Sequence, residues 1–137
     1  MAKRKPKLVY SIICDDVRQE INNKLSYIGT YGPFDTLVGV SKLPYVFPKF
    51  CICLFCKDVQ EGDFFSSKLM APSGKELGKS IEGAIPEGTK PQSGFVAFAV
   101  YTPLRLEEEG THTFSITFNE NERLTYMVEF RVELHKK

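Results

Sequence analysis

Thr111–Leu134 runs THTFSITFNENERLTYMVEFRVEL, and its period decides the fold class. His112, Phe114, Ile116 and Phe118 fall on one side of an extended chain, and Thr111, Thr113, Ser115 and Thr117 on the other. After the polar Asn119–Arg123 the alternation resumes over Leu124–Leu134, with Tyr126, Val128, Phe130, Val132 and Leu134 sharing one face. A period of two with one apolar side marks strands that cover a core on one face only. The two segments therefore pair as a hairpin. No segment of the chain sustains a helical period.

Working outward, Leu8–Cys14 and Phe50–Val59 are strongly apolar and predict buried strands, as does the continuous run Gly94–Tyr101 (GFVAFAVY), a core strand. Leu25–Tyr31 and Phe64–Ala71 predict further strands, Asp35–Val40 a short one, and Leu104–Leu106 an edge. Leu43–Phe50 carries two prolines among aromatics, which confines it to an edge or an extended crossover. Asp15–Asn23 is polar and predicts a connection, either one helical turn or an irregular loop, with Asn22-Asn23 suited to positive φ. Residues 72–94 hold five Gly and three Pro and predict a long loop, with at most a short strand near Ile81–Ile85. The sum is an all-β, antiparallel two-sheet sandwich of seven to eight strands.

The chain has 137 residues, enough for one independent core. The expected division is a disordered basic tail over residues 1–7 and a single domain over 8–135. The formal net charge is +1, but Lys3, Arg4, Lys5, Lys7, Lys136 and Lys137 sit at the ends. Setting those six aside leaves 12 basic against 17 acidic side chains. A mildly acidic body argues against nucleic-acid binding beyond the tail, because phosphate contacts need clustered Lys and Arg. No apolar run reaches the length of a membrane helix. No export signal is visible, so the four cysteines are expected as reduced thiols in a cytoplasm.

Three stretches carry a resemblance. Cys14-Asp15-Asp16-Val17-Arg18-Gln19-Glu20 followed by Lys24-Leu25-Ser26-Tyr27-Ile28-Gly29 is similar to the opening of a family of short bacterial and phage-associated proteins of unknown function. Asn23 stands where Gly is usual there. Met70-Ala71-Pro72-Ser73-Gly74-Lys75 and the acidic-Gly turn within Leu106–Phe114 resemble later parts of the same family. The resemblance implies an immunoglobulin-like or similar β-sandwich. It implies no activity.

Three constellations could carry chemistry. Asp15, Asp16, Arg18 and Glu20 could bind a partner, ligate a cation through carboxylate oxygens, or simply fix a turn through backbone hydrogen bonds and an Arg clamp. Cys51, Cys53 and Cys56, with Cys14, make a four-cysteine set, but the three are spaced C-x-C-x-x-C within a strand, which puts Cys51 and Cys53 on one face and Cys56 on the other. That suits buried thiols better than one zinc site. Tyr31, Phe34, Tyr45, Phe47 and Phe50 could form an interface patch or fill the core under a crossover. His112 could end a strand. No nucleophile elbow, HExxH or phosphate loop is present, so an enzyme is not expected, and no cofactor or metal. The expected role is a protein-interaction or accessory module that binds a protein partner or its own copy, with Asp15, Asp16, Arg18, Glu20, Tyr45 and Phe47 as contact residues. The alternative is a small-ligand or metal sensor using the acidic box, and a hydrolytic enzyme comes third.

Overall fold

A computed structural model describes residues 5–32 and 35–135. Residues 1–4, Pro33, Phe34, Lys136 and Lys137 lie outside the described residues, and with them most of the basic tail and one ring of the aromatic group. The fold is all-β: β1 (Lys7–Gln19), β2 (Leu25–Thr30), β3 (Leu37–Val40), β4 (Tyr45–Phe47), β5 (Phe50–Lys57), β6 (Phe64–Met70), β7 (Glu76–Ala84), β8 (Phe95–Tyr101), β9 (Leu104–Leu106), β10 (Gly110–Phe118) and β11 (Thr125–Leu134). Three single 3-10 turns complete it, at Ile21–Asn23, Pro91–Ser93 and Glu122–Leu124.

The strands form a four-stranded sheet ordered β2-β1-β5-β8, a five-stranded sheet ordered β3-β11-β10-β6-β7, and a β4-β9 ribbon. All pairs are antiparallel except β3 against β11, which run parallel. The C-terminal hairpin pairs as its alternation requires, with His112 opposite Phe130 and Phe114 opposite Val128. Its apolar side meets the inward residues of β5. Phe50, Ile52 and Leu54 from one sheet and Phe114, Ile116, Phe118 and Phe130 from the other are all at most 1% exposed and belong to one core. Phe114 alone, fully buried, represents ~3–5 kcal/mol against truncation to Ala.

Three expectations need correction. The stretch 15–23 is not all connection: β1 continues through the acidic box to Gln19, because Cys14 and the four residues from Asp16 to Gln19 find ladder partners in β2. Pairing there overrides the low strand propensity of Asp, Arg and Gln, and Asn22 then makes the turn at φ 66°. The stretch 72–94 is not one loop: β7 occupies nine residues of it. Two of its glycines, Gly78 and Gly83, lie under rings. An added Cβ would sit 2.9 Å from Tyr101 Cε1 and 3.2 Å from Phe65 Cε1, respectively. They mark tight packing rather than a break. The tail ends before residue 7. Pro6 is buried, its carbonyl accepts the Tyr126 hydroxyl at 2.8 Å, and Lys7 already belongs to β1. The expected core strand, β8, does bury its inner side, with Ala99 and Tyr101 in the main core. It closes one edge of the four-stranded sheet, and Phe98 and Val100 are 39% and 45% exposed.

Candidate functional site: an acidic and aromatic cleft beside the first hairpin

The outer face of the four-stranded sheet is not flat. Tyr10 pairs with Phe55 and Val17 pairs with Tyr27. Seven residues of extended β1 would separate those two pairs by ~23 Å. Yet the Tyr27 and Phe55 rings stand 5.9 Å apart. The distal half of the β1-β2 hairpin therefore curls back over the sheet. It covers Cys14, Cys51 and Cys53, each with no exposed surface, and Ile12, Val17, Tyr27 and Phe55 pack around them. Small thiols leave room for that fold-over. Cys56 lies in the main core on the opposite face, so the alternation of β5 separates the cysteines as its spacing predicts. All four are free and buried. Burial raises each thiol, Cys56 to about 11.

The curl is permitted at Gly29. Its φ is +67°, and a Cβ there would lie 2.3 Å from Asp15 Oδ2 and 2.9 Å from Asp15 Cγ. The Asp15 side chain occupies the space that glycine leaves empty. This gives a physical reason for an Asp in the opening box and a Gly closing the next strand.

The acids of the box do not converge. Asp16 takes Lys49 Nζ on Oδ1 at 2.6 Å and Arg18 Nε on Oδ2 at 3.4 Å. Hydrogen bonding from Lys49 holds its carboxyl below the usual carboxylate range, and Asp16 raises the Lys49 ammonium in turn. Glu20 accepts from Ser26 Oγ at 3.2 Å across the turn. Asp15 is different. Among the described residues no Lys or Arg pairs with it; its contact is the Tyr31 hydroxyl, which donates to Oδ1 at 3.4 Å. Burial, then the neighbouring Asp15 charge, pushes Tyr31 up to about 12, so it stays a donor.

Asp15 opens into a cleft of about 490 Å³ lined also by Tyr31, Gly39, Tyr45, Phe47 and Lys49. Tyr45 and Phe47 lie two apart on β4 and so share a face, with ring centroids 4.8 Å apart at 63°. Phe47 rests on the buried Phe50 at 5.4 Å, and Tyr31 does so at 6.1 Å. The rings are thus half core and half cleft wall. Of the expected site residues, Asp15, Tyr45 and Phe47 come together here. Asp16 reaches the cleft through Lys49, while Arg18 and Glu20 act along the hairpin. Lys49, Tyr31 and Gly39 complete the wall, and nothing local in sequence ties these three separate segments to Asp15.

Other candidates resolve structurally. His112 is not at a strand end but fully buried, stacked on Phe130 at 5.2 Å, with Nδ1 3.1 Å from the Gly110 carbonyl. Burial lowers its pKa. Among the described residues no group of three or more His, Cys, Asp or Glu is arranged to hold a metal ion, and no helix is long and apolar enough to cross a membrane. The two later motifs meet each other. Ser73 donates from N and Oγ to the Glu108 carboxylate at 3.1 and 2.7 Å, and Lys75 pairs with Glu107 at 3.1 Å. A Cβ on Gly110 would lie 3.1 Å from Pro72 Cγ. These residues clamp one turn to another and form no cavity with the cleft.

No curated protein matches the chain. The profile of a family of unknown function, DUF6941, matches residues 9–133, and the chain belongs to that family.

Proposed function

We propose that the protein is a non-enzymatic recognition module whose cleft takes a cationic side chain, Lys or Arg, from a partner protein. The observation that carries this reading is Asp15. It has no cationic partner among the described residues, and it is the one acid of the box that stands beside two aromatic rings at the mouth of an open cleft. A cation over Tyr45 or Phe47 gains from the ring quadrupole, and a carboxylate within reach adds a charge-assisted hydrogen bond. Lys49, the cation already in the wall, is held on Asp16 and does not neutralise Asp15. Four buried, unpaired thiols suit a reducing cytoplasm.

Selection from a displayed random peptide library tests the proposal. The expected result is enrichment of peptides with Lys or Arg at one fixed position, lost in Asp15→Asn and in Tyr45→Ala. Enrichment of acidic or purely apolar peptides, or an Asp15→Asn variant that selects the same set, would overturn it.

A further inference from the structure

The β8 edge carries a second surface, on the far side of β5 from the cleft. Sheet edges are usually blunted by charge, Pro, bulges or shortness. Three of the four edges of the two main sheets are. The β7 edge holds Glu76, Lys79 and Glu82 and bends at Gly78 with φ +67°. The β2 edge is broken at Gly29, and β3 has only four residues. By contrast, β8 is seven residues of FVAFAVY, and no Asp, Glu, Lys or Arg occurs between Lys90 and Arg105. Its one ladder partner is β5. Successive residues point their N–H and C=O groups to opposite sides, so half of the β8 backbone has no ladder partner.

The sequence of this edge is a palindrome about Phe98. Phe95-Val96-Ala97-Phe98-Ala99-Val100-Tyr101 reads the same in both directions, apart from one hydroxyl at the end. We infer that β8 pairs antiparallel with β8 of a second copy, on a two-fold axis through Phe98. Each Phe95 then faces a Tyr101, each Val96 a Val100 and each Ala97 an Ala99, and the two Phe98 face each other. The same patch of both copies meets itself, as in any isologous interface, and the palindrome sets like side chains opposite each other at every position. On the outer face, Val96, Phe98 and Val100 of both copies form one apolar cluster, which covers side chains now 39% and 45% exposed at Phe98 and Val100. On the inner face, an apolar cleft of about 190 Å³ lies along the same edge between Phe95, Ala97, Phe65 and Ile81. A strand added at β8 would roof it. The two four-stranded sheets become one of eight strands.

Single cysteines placed on β8 test both the pairing and its register, because the four native thiols are buried. A residue on the axis faces its own copy with Cα atoms ~4.5–5.5 Å apart, within disulfide reach of ~4.4–6.8 Å. Phe98→Cys should therefore oxidise to a covalent dimer. Val100→Cys should not, since its copy lies four residues along the ladder, ~13 Å away. Met127→Cys, exposed on the other sheet, is the second control. Light scattering should show twice the chain mass for the native protein at high concentration, and the single-chain mass for Phe98→Lys with a retained β-sheet spectrum. A native protein that stays monomeric, a Phe98→Lys variant that remains dimeric, or cross-linking at Val100→Cys or Met127→Cys equal to that at Phe98→Cys would each overturn the inference.

Discussion

Gly29→Ala probes the joint on which the site depends. The methyl group would meet Asp15 Oδ2 at 2.3 Å and Cγ at 2.9 Å, so the carboxylate must leave. Two costs follow. A residue with a side chain at φ +67° carries ~1–2 kcal/mol of backbone strain. Displacing Asp15 breaks its bond from Tyr31 Oη, worth ~1 kcal/mol. The sum is about 2–3 kcal/mol, a fall of roughly 6–15 °C in melting temperature for a chain of this size. Urea unfolding followed by circular dichroism measures it. The decisive form is a double-mutant cycle with Asp15→Ala. Once the carboxylate is gone, Gly29→Ala should retain only the strain of ~1–2 kcal/mol, leaving a coupling of about 1 kcal/mol. A Gly29→Ala cost under ~0.5 kcal/mol, or one equal in both backgrounds, would refute the account of the hairpin bend.

Other expectations follow from the same coordinates. The buried His112 has its pKa lowered, so between its ordinary value near 6.5 and the lower folded value the unfolded chain holds a proton that the native chain does not. Stability should fall on acidification below about pH 6.5, by up to ~1.4 kcal/mol per pH unit, and stay flat with respect to this group above it; pH-dependent melts of the native protein and His112→Leu should show that slope and its loss. The four thiols, buried and raised in pKa, should show no reaction with a thiol reagent at pH 8 in the native state and full reaction of all four in denaturant. Phe130→Ala, which removes a ring stacked on His112 and tilted against Phe50, should cost ~3–5 kcal/mol in urea unfolding.

The strands with one apolar side were legible because their pattern is local. The alternation of β10 separated the buried His112, Phe114, Ile116 and Phe118 from their polar neighbours, that of β11 grouped the buried Val128, Phe130 and Val132 with the half-buried Tyr126, and the two-residue spacing of Cys51 and Cys53 placed them on one face. What stayed hidden depends on distant partners. The acidic box reads as a loop because Asp, Arg and Gln are poor strand formers, and only β2 pairing makes it a strand. Gly78 and Gly83 read as breaks, yet each makes room for a ring, Tyr101 or Phe65, contributed by a different strand. The apolar β8 reads as a core strand, which its inner side is, but nothing in the run itself says that no further strand follows it in the sheet. For the site, Asp15 and the Tyr45-Phe47 pair were each visible, but their meeting was not. Residues 15 and 45 are brought together by the curl of one hairpin and the docking of a three-residue strand, and neither has a sequence period.

The most direct test of the cleft is a titration of the ¹⁵N-labelled protein with N-acetyl-lysine methylamide, followed by amide chemical shifts. The account predicts saturable shifts confined to Asp15, Tyr31, Gly39, Tyr45, Phe47 and Lys49, abolished in Asp15→Asn while the rest of the spectrum is unchanged. Shifts scattered over the surface, or the same shifts with the same saturation in Asp15→Asn, would contradict it.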